Sequence, residues 1–93
     1  MDYKEFFIKL ISQFLTGRLS RKEVAHAVAM ELPIDSSYDS DVELMENCEW
    51  GLRHIDEPDY WTTENELRYY LSCLKGDKHF SVAARDGLLK NHP

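Results

Sequence analysis

The sequence predicts an all-α fold, an antiparallel four-helix bundle with a short C-terminal helical appendage, on three observations. Four segments open with a helix-start signature, the apolar residues behind them recur at helical spacing, and no run alternates apolar and polar residues as a half-buried strand would. The signature is an Asp, Ser or Thr followed three residues later by Glu, a pair whose side chains each satisfy a backbone N–H left over where a helix begins. It occurs at Asp2 and Glu5, Ser20 and Glu23, Ser40 and Glu43, and Thr63 and Glu66. Three of the four are followed by a hydrophobic fourth helical position, Phe6, Val24 or Leu67, and Met1 and Leu19 precede the first two caps as staple partners.

The first helix is expected over Tyr3 to Thr16, where Phe6, Phe7, Leu10, Ile11, Phe14 and Leu15 make a wide apolar stripe and Gly17 ends it. The second, Arg21 to Glu31, is weaker and Ala-rich, and Pro33 stops it. A polar loop from Ile34 to Ser40 leads to the third helix, Asp41 to Ile55, which is expected to bury Val42, Met45, Cys48 or Glu49, Leu52 and Ile55, with Pro58 beyond its end. The fourth, Glu64 to Lys75, places Leu67, Tyr70, Leu71 and Leu74 on one stripe before Gly76. A short fifth helix is expected between His79 and Leu89, interrupted by Gly87. Short connections between amphipathic helices favour antiparallel neighbours, which gives the bundle.

Ninety-three residues fit a single domain spanning residues 1–93, and the 43% apolar and 30% charged content is that of an ordinary globule. A chain this short buries too little surface to enclose a large cofactor. No apolar run approaches the roughly 20 residues of a membrane span, and Asp2 and Glu5 are out of place in a signal peptide. A cytoplasmic monomer is expected. Cys48 and Cys73 match no zinc or redox spacing and are expected to be free, buried thiols.

Motifs for chemistry are weak. Asp39, Asp41 and Glu43 start a calcium-loop pattern, but Leu44 stands where the turn needs Gly and Trp50 where a bidentate Glu belongs. Zinc would require the fold to gather Cys48, His54, Cys73 and His79, and a Cys73 nucleophile served by His79 would lack an orienting partner and an oxyanion loop. No enzyme activity, metal or cofactor is expected.

Charge carries more information. Net charge is −6, which disfavours nucleic acid as a direct partner. Residues 31–66 hold twelve acids and the single base Arg53, a local net of −11, whereas the rest of the chain is at +5. Glu43, Glu46 and Glu49 are spaced one turn apart and repel, with only the Glu49–Arg53 pair to offset them. Trp50, Tyr60 and Trp61 lie in the same stretch, and aromatics ringed by charge are typical interface anchors. Such a field accelerates encounter with a basic protein. The expected partner-binding set is Asp56, Glu57, Asp59, Trp61 and Glu64, together with Glu46 and Glu49.

The run Phe14-Leu15-Thr16-Gly17-Arg18-Leu19-Ser20-Arg21-Lys22-Glu23-Val24 resembles the opening of the colicin D type bacterial immunity proteins. In that family an amphipathic helix ends in a Phe-Leu-x-small-x-Ile/Leu-Ser/Thr-x-x-Glu run followed by an aromatic or aliphatic residue. Glu57-Pro58-Asp59 is similar to the family's acidic segment around a Pro, and Glu64-Asn65-Glu66-Leu67-Arg68 to the start of its last helix. The likeness runs from about Glu5 to Gly76. His54 departs from it, standing where an acid is expected, and the tail after Asp77 has no counterpart. The resemblance implies a four-helix-bundle inhibitor that binds the catalytic domain of a secreted tRNA-cleaving toxin, presenting carboxylates to a basic cleft made for the tRNA backbone. Carried over, the toxin-facing positions are Glu57 and Asp59. The alternative from composition alone is a small acidic helical adaptor or regulatory protein with a basic partner that is not a toxin.

Overall fold

The structure is a computed structural model that describes residues 2–32 and 37–90. Met1, Pro33 and residues 34–36 of the expected loop lie outside the described residues, as do the side chains of Tyr60 and Leu89. The described chain is all-helical: α1 (Tyr3–Leu15), α2 (Arg21–Glu31), α3 (Val42–Arg53), a 3-10 turn at Pro58–Tyr60, α4 (Glu64–Leu74) and α5 (Val82–Lys90). The first four helices form the antiparallel bundle, with α1 against α4 and α2 against α3, and α5 lies on α4 as the appendage. None of the described helices is long and apolar enough to cross a membrane.

Helix starts follow the local chemistry at three of the four signatures. The Asp2 carboxylate accepts from the Glu5 N–H at 3.1 Å. At Ser20 and Thr63 the box is complete: Ser20 Oγ accepts from Glu23 N at 3.1 Å while Ser20 N donates to Glu23 Oε1 at 2.9 Å, and Thr63 and Glu66 exchange the same pair at 3.1 and 3.0 Å. α1 and α4 both end on a glycine in the left-handed region, Gly17 at φ 80° and Gly76 at φ 86°.

The fourth signature fails. α3 is preceded by Asp41, not Ser40, and Asp41 takes a left-handed φ of 50° with no side-chain cap. Its carboxylate is drawn away by Lys4 of α1, whose Nζ stands 3.0 Å from Oδ2. Val42, the first residue of the helix, is 46% exposed rather than buried, and Leu44 takes its place on a buried face with Met45, Cys48, Leu52 and Ile55. The helix also ends at Arg53, two residues before Ile55, and Ile55 is buried in the turn that follows.

The core is a single cluster built from Phe7, Leu10 and Ile11 of α1, Val24 and Val28 of α2, the α3 face, and Leu67, Tyr70, Cys73 and Leu74 of α4. Gly51 sits inside α3 where glycine is weakly helical, and its place is set by packing: a Cβ there would meet Tyr70 Cε2 at 3.4 Å and Thr62 Cγ2 at 3.6 Å. α5 runs through Gly87 without interruption. It is attached by polar and aromatic contacts more than by an apolar face. Arg85 donates to Asn47 of α3, Tyr69 Oη donates to the His79 carbonyl and accepts from Ser81 N, both at 3.0 Å, and Phe80 lies 5.9 Å from the Tyr69 ring and 6.0 Å from the Tyr70 ring.

α2 is the least amphipathic helix of the bundle, so its cap matters most. Hydrogen bonds from the Ser20 backbone N–H and hydroxyl hold the Glu23 carboxyl below its ordinary pKa. A carboxyl whose folded pKa is depressed stabilises the fold above its unfolded pKa, and that contribution disappears as pH falls through the folded value. Glu23→Gln, which keeps the capping geometry and removes the charge, is therefore expected to melt below the native chain at neutral pH and level with it at about pH 2. Thermal melts followed by circular dichroism across that range check this.

Candidate functional site: the acidic end of the bundle

One end of the bundle collects the α1–α2 turn, the C-terminus of α3 and the start of α4. A helix C-terminus leaves its last carbonyls without intrahelical donors and carries partial negative charge. Here the connection to α4 supplies the donors. Thr62 Oγ1 donates to the Gly51 carbonyl at 2.8 Å, and Glu57 N donates to the His54 carbonyl at 3.1 Å. Arg21, the first residue of α2, donates through Nη1 to the carbonyls of Ile55 at 2.8 Å and Thr62 at 2.7 Å. Pro58 then fixes the short 3-10 turn, and Thr63 caps α4.

The segment held this way carries most of the predicted contact residues. Asp56, Glu57, Asp59 and Glu64 are exposed, and Trp61 is 47% exposed. The Arg21 guanidinium carbon lies over the Trp61 ring, 3.7 Å from its centroid, and 5.2 Å from the centroid of the Phe14 ring. Burial lowers the Arg21 pKa, and the neighbouring carboxylates of Glu64, Asp56 and Glu66 oppose that shift. A guanidinium stays charged under such a balance. Arg21 is thus a cation set among the acids, and it was invisible to a count over residues 31–66 because it comes from another helix.

Glu46 belongs to the same surface, and Glu49 does not. Glu46 and Trp50, one turn apart, are exposed on α3, and Trp50 continues to His54 with ring centroids 4.7 Å apart. His54 Nδ1 meets Glu57 Oε2 at 2.9 Å, which links this ridge to the acidic segment. Glu49 turns toward the α2–α3 connection instead. Its side chain is only 16% exposed, one oxygen accepts from Tyr38 Oη and the other from Arg53 Nε at 2.8 Å. Burial and the Glu49 bond push the Tyr38 hydroxyl well above its usual pKa. Both Glu49 oxygens are thus engaged within the fold, apart from the exposed acids of the segment.

Other candidate chemistry is dispersed. Cys73 and His79 line a surface depression of about 300 Å³ with Asp41, Glu43, Lys78 and Phe80 at the opposite end of the bundle from His54. Among the described residues no group of three or more His, Cys, Asp or Glu is placed to hold a metal ion. Both cysteines are free and buried, and burial pushes both thiols above the usual cysteine pKa.

Comparison with protein-family models, with curated proteins and with solved structures found no match to this chain.

The Thr62 hydroxyl is buried with its bond to the Gly51 carbonyl, so Thr62→Val, nearly equal in shape, removes a buried hydrogen bond without opening a cavity. It is expected to cost about 1–2 kcal/mol of stability. Urea denaturation of the two chains measures it.

Proposed function

We propose that this chain is an immunity-type inhibitor that binds the catalytic domain of a cognate tRNA-cleaving toxin and occludes its basic active site. The observation that carries the reading is the acidic end itself: Asp56, Glu57, Asp59 and Glu64 are exposed within one short segment held between two helix ends, beside a half-exposed Trp61. A cleft that grips a polyanion is lined with Lys and Arg, and carboxylates on a rigid frame substitute for phosphates there. The exposed ridge of Glu46 and Trp50 extends the surface along α3. Charge speeds encounter, and the desolvated aromatic slows release. The resemblance of residues 14–24 and 57–59 to the colicin D type immunity proteins supports the same reading from the sequence side.

The test is a titration of the protein into the nuclease domain encoded by the adjacent gene, following RNA cleavage at low and high salt. Stoichiometric inhibition is expected, with association slowing as salt rises because exposed charges are screened beyond about 10 Å at 0.1 M. The double variant Glu57→Lys with Asp59→Lys should lose at least about tenfold in affinity while keeping its helical circular dichroism. Full inhibition by that variant sinks the assignment. No inhibition at any ratio by the native chain moves the reading to an adaptor with a basic partner of another kind.

A further inference from the structure

Both ends of the acidic segment are tied to one nitrogen. Nη1 of Arg21 carries two hydrogens, and both are used, one on the Ile55 carbonyl at 2.8 Å and one on the Thr62 carbonyl at 2.7 Å. These two residues flank the stretch that holds Asp56, Glu57, Asp59 and Trp61. The clasp comes from far along the chain, 34 and 41 residues away, so it also fixes the segment against α2. The guanidinium carbon lies over the Trp61 ring at 3.7 Å and over the Phe14 ring at 5.2 Å from their centroids, so aromatic surface stands beside its hydrogen bonds.

We infer that Arg21 is the positioning residue of the acidic surface, holding the 56–61 segment and Trp61 in the arrangement that a basic protein partner meets. The partner half of this inference rests on the proposed inhibitory role, and the clasp half does not. Like charges crowded on a short connection push it open, and a cation at its base offsets that push while leaving the outer carboxylates facing solvent. The result is a preorganised anionic surface, which spares binding the cost of ordering the loop. Lysine cannot replace this function fully: it keeps the charge but loses the planar group that lies over Trp61.

The experiment compares Arg21 with Arg21→Ala and Arg21→Lys, with exchange and inhibition read in the otherwise native chain and emission read in a Trp50→Phe background, where Trp61 is the sole tryptophan. Hydrogen exchange of the amides at 55–62 should accelerate by about tenfold or more in Arg21→Ala, and those in the middle of α1 and α4 should stay unchanged. Trp61 emission should shift to the red and become more open to iodide quenching, and millimolar methylguanidinium should reverse part of both changes. Arg21→Lys should fall between, and it serves in place of Arg21→Ala if that variant fails to fold. Inhibition of the adjacent-gene nuclease domain should weaken in the same order. Unchanged exchange and emission in the variants overturns the clasp, and a loosened loop with undiminished inhibition overturns its positioning role. If the native chain does not inhibit that nuclease, the proposed function fails while exchange and emission still decide the clasp.

Discussion

The guanidinium of Arg21 is the contact on which the acidic end depends. It joins the start of α2 to the turn after α3 and to the approach to α4, and it lies over rings from α1 and from the connection. A helix C-terminus attracts a cation, and a loop rich in carboxylates attracts one more strongly. Both attractions converge on one side chain. Gly51 and Thr62 complete the junction from the core side: the absent Cβ admits Tyr70 and Thr62, and the Thr62 hydroxyl serves the carbonyl that is thereby approached. The acidic end of the bundle is consequently joined by contacts from α1, α2, α3 and the connection to α4.

Much of the fold was legible because it is written locally. A capping box needs residues three apart, a C-terminal glycine needs a single position, and an apolar stripe needs one helix. Ser20 with Glu23, Thr63 with Glu66, Gly17 and Gly76 accordingly stand where local chemistry puts them. The start of α3 was not legible, since Asp41 answers to Lys4 across the bundle rather than to its own helix. The attachment of α5 was hidden for a related reason. Its anchors are Arg85 on Asn47 and Tyr69 on the His79–Ser81 backbone, and neither leaves a periodic apolar signal.

The same distinction separates the acids. Charge is countable along a sequence, but its exposure depends on rotation about the helix axis at about 100° per residue. Glu46 and Glu49 are three positions apart on α3, yet the first faces solvent and the second is enclosed by Tyr38 and Arg53. Glu66 contributes to the −11 of residues 31–66 and is 6% exposed, occupied by its own helix cap. Arg21 enters that region from outside the interval. The net local charge therefore overstates the exposed field: Glu31, Asp39, Asp41, Glu43 and Glu46 are outward elsewhere, while Asp56, Glu57, Asp59 and Glu64 are gathered on the α3–α4 connection and the first residue of α4.

That concentration constrains how the surface can work. A diffuse excess of negative charge would steer any cation, with little selectivity and strong sensitivity to salt. Carboxylates fixed at a helix junction around a partly exposed indole impose geometry as well, because a partner must place its cations where the backbone has placed the acids. The anchoring cation has a second consequence. By neutralising the inner side of the cluster, Arg21 leaves the outward carboxylates as the part of the field a partner meets, and it occupies the face of Trp61 that would otherwise offer a second cation site. Under the proposed function, recognition is then confined to the outer face of the segment and the adjoining ridge of α3, where Glu46 and Trp50 lead through His54 to Glu57.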